Sequence, residues 1–457
     1  MSDVNRRRFL SQLAGGTLAA SWAMSGIEWL MADEPGRSEK PNIIYIMADD
    51  LGYGDLGCYG QKHIQTPNID QLAQEGTQFT QCYAGSTVCA PSRSVLMTGQ
   101  HTGHTRVRGN SGKVGGVGPQ KRVPLEDEDV TVAEVLKQAG YATGITGKWG
   151  LGEPDTSGVP NRQGFDEWFG YLNQRNAHSY YPPYLWKNEE KFPLEGNQDG
   201  GRQQYAHDLF AEFALDFVTR HRNEPFFLYL AYTIPHAKYE IPSTEPYTEE
   251  PWPDDAKVHA AMITRMDSDI GRLMHLLGQL GVDDDTVVFF CSDNGAAQRW
   301  EGIFESSGPL RGRKRDLYEG GIRTPMIVRW PSRVGAGQTS EAVWYFADVL
   351  PTLAEIAGAE VPAGIDGISV LPALLGEQQD TADRFLYWEF HSNKLEQAVR
   401  WRRYKAVRLG AQEPLELYDL REDPGEQRDI ASDQPEVVAR ITEFLASART
   451  NSPNWPV

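Results

Sequence analysis

The densest set of chemically able side chains in this 457-residue chain is Cys89-Ala90-Pro91-Ser92-Arg93, running on to Leu96, Thr98 and Gly99. Proline is favoured in the first turn of a helix, so Pro91 puts residue 89 at a helix N-terminus, where free amides and the dipole attract an anion. Arg93, one turn on, points to the same side, and an oxyanion such as sulfate could sit there. A lone cysteine at such a place is usually a small buried hydrophobe. Asp49-Asp50 follow one apolar run and Asp293-Asn294 follow another, offering four oxygen ligands. Ligation by oxygen alone suits a hard cation, Ca²⁺ ahead of Mg²⁺ because so many protein ligands are available, whereas zinc favours histidine or thiolate. Either acidic pair by itself reads as a cap or a turn former. Two pairs together with the cysteine motif point to chemistry.

The elements that must position these residues follow an α/β rhythm. Pro41 to Ala48 is a short apolar run suited to a strand buried on both faces, and it stops at Asp49-Asp50. Thr66-Pro67 through Gly76 carries the cap, first-turn proline and closing glycine of a helix. Thr131 and Glu134 make a capping box ahead of a second helix, which Gly140 stops before a strand from Tyr141 to Thr146. Phe226 to Ala231 and Thr286 to Cys291 read as further strands, and Met262 to Leu280 as a long helix with Met262, Ile263, Met266, Ile270, Leu273 and Leu277 on one face. Strands alternating with helices imply a mostly parallel sheet between helical layers, and in such sheets the C-terminal strand ends meet at one crevice, where the two acidic pairs can converge. Gly109 to Gly118, Tyr181-Pro182-Pro183 and Pro242 to Pro253 read as long loops. Beyond a polar stretch near Gly376 to Asp383, strands at Phe385 to Phe390 and Tyr404 to Leu409 and a helix from Pro435 to Ala448 form a small α+β subdomain. The expected boundaries are residues 1–39 for an export segment and linker, 40–378 for the catalytic domain and 379–457 for the subdomain.

The cysteine motif resembles C-x-P-S-R of the formylglycine-dependent (type I) sulfatases, in a dialect similar to the arylsulfatase and N-acetylgalactosamine-sulfatase branch. The resemblance spans the chain in order: Asp49-Asp50-Leu51-Gly52, the cysteine motif, Gly147-Lys148-Trp149, Pro235-His236, Ser292-Asp293-Asn294-Gly295, and Lys314 five residues before Glu319-Gly320-Gly321. It implies an alkaline-phosphatase-like fold with a smaller C-terminal subdomain. It further implies hydrolysis of sulfate esters, a formylglycine made from Cys89 by a formylglycine-generating or anaerobic sulfatase-maturating enzyme, and one Ca²⁺ held by Asp49, Asp50, Asp293, Asn294 and residue 89. Arg93, Lys148, His236 and Lys314 would then surround the sulfate, with His236 as the acid for the leaving oxygen. One departure stands out: the family commonly has histidine two residues after the lysine, and this chain reads Lys148-Trp149-Gly150. His178 is a candidate substitute or substrate contact, and Arg175 a second candidate contact. Two other readings are a phosphodiester or phosphonate ester hydrolase of the same superfamily and an inert relative that binds sulfated glycans.

Composition bounds the partners. A formal charge of −19 argues against nucleic acid, which needs a basic footprint, and requires that an anionic substrate find a locally basic pocket. Mean hydropathy of −0.50, with no long apolar run after the N-terminus, excludes a mature membrane anchor. Four cysteines are too few for a disulfide framework, and with Cys89 modified at least one thiol stays unpaired. Asn5-Arg6-Arg7-Arg8-Phe9-Leu10-Ser11, ahead of a modestly apolar stretch, resembles a twin-arginine export signal and implies a periplasmic or extracellular enzyme. Aromatic loops such as Tyr180 to Trp186 suit stacking on sugar rings, so a sulfated saccharide or smaller sulfate ester is the expected substrate.

Overall fold

A computed structural model describes residues 40–457 except residue 382; the export segment lies outside the described residues. The described residues cluster as one compact unit. The strands are β1 (Asn42–Ala48), β2 (Thr77–Tyr83), β3 (Ala142–Lys148), β4 (Glu167–Tyr171), β5 (Tyr184–Lys187), β6 (Glu190–Pro193), β7 (Phe226–Ala231), β8 (Thr286–Ser292), β9 (Arg323–Arg329), β10 (Gln338–Tyr345), β11 (Phe385–His391), β12 (Leu395–Trp401), β13 (Tyr404–Arg408) and β14 (Glu416–Asp419). The helices are α1 (Pro67–Glu75), α2 (Cys89–Thr98), α3 (Val132–Gln138), α4 (Ala206–His221), α5 (Asp254–Leu280), α6 (Glu319–Ile322), α7 (Val349–Ala357), α8 (Leu371–Leu374) and α9 (Pro435–Leu445).

Among the described residues ten strands form one sheet in the order β10-β2-β9-β8-β1-β7-β3-β4-β5-β6. Its centre, β8-β1-β7-β3-β4, is parallel throughout. Antiparallel pairs enter at β9 and at β5 and β6, toward the two edges. Strand β1 shows why the apolar run is continuous rather than alternating. Ile44 and Ile46 pack on one side with Ile263, Met266 and Ile270 of α5, while Ile43, Tyr45 and Met47 pack on the other with residues of α2, α3 and α7. Each such aliphatic side chain, removed from water, contributes about 1.5–3 kcal/mol. The second sheet, β11-β12-β13-β14, is antiparallel and is covered by α9 through Ile441 and Leu445.

Helix α5 begins at Asp254, two turns before the Met262 start expected from its apolar face. Pro253 holds the N-cap position and Asp254 and Asp255 occupy the first turn, which suits the helix dipole, while the buried residues there, Ala256, Ala260 and Ala261, are small. The capping box at Thr131 and Glu134 is present. All four cysteines are free thiols. Among the described residues no helix is long and apolar enough to cross a membrane.

Candidate active site

The parallel strands β1, β3, β7 and β8 end along one edge of the sheet, and the chemically able residues follow those ends. Asp49 and Asp50 come directly after β1, Lys148 closes β3, Asp293 and Asn294 follow β8, and His236 lies five residues beyond β7. Helix α2 points its N-terminus at the same place and starts with Cys89, which is 2% exposed. Lys314 arrives on the loop before α6, where its backbone amide donates to the Ala296 carbonyl.

Opposite charges interleave in this crevice. Lys148 Nζ donates to Asp49 Oδ2 at 2.6 Å, and Lys314 Nζ to both oxygens of Asp50 at 2.6 and 2.8 Å. Arg93 Nε and Nη2 both donate to Asp293 Oδ2, at 3.1 and 2.9 Å, while Nη1 donates to the Lys148 carbonyl at 2.7 Å. Arg93 therefore braces the acidic cluster and the end of β3. Asn294 Nδ2 donates to Asp50 Oδ1 at 2.7 Å, His236 Nε2 lies 3.5 Å from Asp50 Oδ2, and Lys314 Nζ lies 3.6 Å from Cys89 Sγ. Asp49, Asp50, Cys89 and His236 each bring one ligand atom within 4.8 Å of the others.

The titration of the cluster follows from its charges. Burial opposes ionisation of Asp49, yet Lys148, His236 and Arg93 hold it well below the usual carboxylate range. Burial and the Asp49 charge push Asp293 up to about 8 against the pull of Arg93. Burial also opposes ionisation of Cys89, but the ammonium groups of Lys148 and Lys314 override it and bring the thiol down to about 6. Burial alone would lower His236; Asp50 and Asp49 raise it.

Two oxygens are left without partners inside this network, Asp49 Oδ1 and Asn294 Oδ1, both buried. Orphaned buried acceptors cost about 1–3 kcal/mol each, and a cation sharing them removes that cost. The oxygens of Asp49, Asp50, Asp293 and Asn294, two of them with unspent lone pairs, fit a hard divalent cation.

Sequence reasoning missed several supports. Tyr180 Oη donates to the carbonyls of Thr233 and His236, at 2.6 and 2.7 Å, fixing the loop that carries His236. Ser92 Oγ donates to the Asp293 carbonyl at 2.5 Å, and the Ala90 amide is taken by Asn110 Oδ1. Only the Ser92 contact carried a sequence signal, as part of the cysteine motif. His178 stacks on His236 with ring centroids 4.6 Å apart and is exposed; burial of its inner part and the neighbouring His236 lower its pKa. Arg175 is exposed at the start of the same short turn. Gly150 has φ +85, and a Cβ there would meet the side-chain amide of Gln174 at 2.1 Å. Gln174 donates to the Gly150 carbonyl at 3.0 Å, so a histidine at 150 would have to displace it and adopt a strained backbone.

The fold is of the alkaline-phosphatase-like class, and its crevice gathers carboxylates, ammonium groups and a helix N-terminus in one place. Residues 41–359 match the sulfatase family model, and residues 313–451 match that of the N-sulphoglucosamine sulphohydrolase C-terminal region. Human arylsulfatase A is 34% identical over 470 residues, covering 89% of this chain and 87% of that protein. The N-acetylgalactosamine-6-O-sulfatase of Bacteroides thetaiotaomicron is 30% identical, covering 92% and 95%. The crystal structure of Ps i-CgsB in complex with k-i-k-neocarrahexaose superposes with a TM-score of 0.80 at 30% identity, covering 92% of this chain and 95% of that one. The chain belongs to the sulfatase family, and it is a sulfuric ester hydrolase.

Proposed function

We propose that this enzyme removes sulfate from a sulfated carbohydrate, using a formylglycine at position 89 and one Ca²⁺ held by Asp49, Asp50, Asp293, Asn294 and residue 89. The observation that carries this reading is the pair of orphaned oxygens, Asp49 Oδ1 and Asn294 Oδ1, buried beside Cys89 at a helix N-terminus. When present, the cation supplies Lewis-acid neutralisation of the sulfate oxygens, and formylglycine supplies a hydrated aldehyde with one hydroxyl to attack sulfur and another to release it.

The remaining roles follow from charge and reach. Lys148 and Lys314 carry their ammonium groups at the carboxylates, and with those carboxylates shared by a cation they can donate to the sulfuryl oxygens. Arg93 keeps the Asp293 carboxylate oriented and adds positive charge behind it. His236 directs Nδ1 at the Ala237 carbonyl, which leaves Nε2 to carry the exchangeable proton. The Asp50 and Asp49 charges favour that proton, so His236 Nε2 is placed to give it to the leaving alcohol oxygen. His178, stacked against His236 on the exposed side, and the exposed Arg175 three residues before it are proposed to touch the sugar.

A saccharide substrate is supported by relatives that are named for N-acetylgalactosamine 6-sulfate and by the carrahexaose complex. Export through the twin-arginine segment 1–39, a catalytic domain over 40–378, a subdomain over 379–457 and maturation by a formylglycine-generating or anaerobic sulfatase-maturating enzyme belong to the same proposal.

The test is mass spectrometry of the peptide spanning residue 89, on protein from a host with maturation machinery, combined with sulfate release from aryl and sugar sulfates. Formylglycine with Ca²⁺-dependent release is expected. Unmodified cysteine in a host that converts other sulfatases would overturn the nucleophile, and faster turnover of an aryl phosphonate than of the matching sulfate would overturn the substrate class.

A further inference from the structure

Away from the crevice, a cavity of about 570 Å³ opens where the β10-β2-β9 edge of the large sheet meets the second sheet. Six arginines line it: Arg323, Arg384, Arg400, Arg402, Arg403 and Arg421, against Glu341 as the acidic lining residue. In a chain of net charge −19 this concentration of guanidinium groups is out of keeping with the rest of the molecule. None of the lining residues belongs to the catalytic crevice.

Four of the six have carboxylate partners. Arg323 pairs with Glu319, Arg384 with Asp348, Arg402 with Asp383 and Arg403 with Asp419. Arg400 and Arg421 have none among the described residues. Arg400 is 5% exposed, and its guanidinium donates to Tyr83 Oη and Gln81 Oε1, which are neutral acceptors. Tyr83 in turn donates to Glu319, whose ionised form the Arg400 charge also favours, so Arg400 is braced within the wall, and the exposed Arg421 is the lining arginine left without a carboxylate among the described residues. Arg402 and Arg403 stand at the β12–β13 turn and Arg421 just after β14, which pairs with β13 through Tyr404 and Asp419, so these three come from adjoining backbone, whereas Arg323 starts β9 and Arg384 precedes β11. A single inorganic anion would engage only part of such a set. A chain with sulfates at intervals would satisfy several, and the volume lies in the range of sites that hold ligands of a few hundred cubic ångströms.

We infer that this arginine-lined groove is a second binding site for a sulfated oligosaccharide, which holds a polymeric substrate on the enzyme while the catalytic crevice acts on a sulfate elsewhere. This rests on the proposed carbohydrate substrate. The benefit is one of effective concentration: a chain held at the groove presents further sulfates to the crevice without dissociating. The attraction is electrostatic and weakens with salt.

The test titrates Cys89→Ser protein at low ionic strength with sulfated galactan and sulfated galactosaminoglycan hexasaccharides, their desulfated counterparts and inorganic sulfate, by calorimetry. The same titrations are run on a form also carrying Arg402→Glu and Arg421→Glu, both at exposed positions where reversal does not disturb a core. The expected result is two equivalents of a sulfated hexasaccharide on the first protein, with one weakened at least about tenfold in the charge-reversed form. The matured charge-reversed enzyme should turn over a small aryl sulfate at an unchanged rate but show a raised KM for the polymer. One equivalent bound, equal binding in both forms, or inorganic sulfate competing as well as the hexasaccharide would overturn the inference. Sulfate release from the hexasaccharide by matured enzyme is scored separately: groove binding without release breaks the proposed substrate and leaves the groove, and release without groove binding does the reverse.

Discussion

Buried charge clusters among the described residues are finished in two different ways. Where the second sheet meets the first, Glu319 accepts from Tyr83, Arg323 and Lys405, and Glu426 accepts from Lys405 and from the Glu319 amide. Nearby, Glu389 accepts from Arg108, Arg449, Tyr387 and His391. Both oxygens of each of these carboxylates are engaged. In the crevice, by contrast, Asp49 Oδ1 and Asn294 Oδ1 are buried and unpaired, and Asp293 is pushed toward neutrality by burial and by Asp49. Equal burial with unequal satisfaction separates a cluster that holds the fold together from one that waits for a ligand.

The difference can be broken at either end. The largest effect is expected from Cys89→Ala, which removes the proposed precursor of the nucleophile and should lower sulfate release by about 10⁴-fold or more, with a near-unchanged melting temperature. Lys405→Ala should do the opposite. It leaves Glu319 and Glu426 without their shared cation, fully buried, and should cost on the order of 3–5 kcal/mol in denaturant unfolding, while folded enzyme keeps kcat/KM within about twofold. If Lys405→Ala instead lost activity without losing stability, the division between the two clusters would fail.

Chelation should act on the crevice alone. Removing the proposed Ca²⁺ should abolish turnover reversibly and lower apparent stability by about 2.7 kcal/mol relative to protein held at a hundredfold excess over Kd, read by thermal unfolding with and without chelator. Asp49→Asn should weaken Ca²⁺ binding by about 10²-fold or more and reduce that calcium-dependent stabilisation.

Acid sharpens the contrast further. Burial opposes ionisation of Glu389, but His391, Arg449 and Arg108 bring its pKa down to about 2 from an ordinary 4.5. A depressed carboxylate stabilises the fold above its unfolded pKa and loses that contribution as pH falls through its folded one. Between pH 4.5 and 2 the chain should therefore lose on the order of 3 kcal/mol through this group. Glu389→Gln should be less stable at neutral pH and show a flatter dependence across that window. The smallest effect is expected from His178→Ala: a several-fold rise in KM for a sugar sulfate with kcat little changed, since its ring stacks on His236 without joining the cluster.

Much of this was legible in the chain. The residues of the crevice sit within a few positions of strand ends or at a helix start, and local patterns mark those places: the apolar run before Asp49, the proline after Cys89 and the run before Asp293. The start of α5 was misplaced because its first two turns bury small alanines and His259 rather than large apolar side chains, so the apolar period that marks the rest of the helix is weak there. The antiparallel strands at the sheet edges were not assigned, since edge strands such as β6 are short and exposed on every residue.

By itself, then, the sequence determined which elements form, which residues end up at their termini and which family they belong to, because these depend on neighbours within a few residues. Only the tertiary structure decided which charge meets which. It set Lys148 on Asp49, Lys314 on Asp50 and Arg93 on Asp293, filled the space beside Gly150 with Gln174, and gathered arginines from separate strands and turns into one groove. These pairings join residues up to 264 positions apart, and local sequence carries no record of contacts that exist only once the sheet has closed.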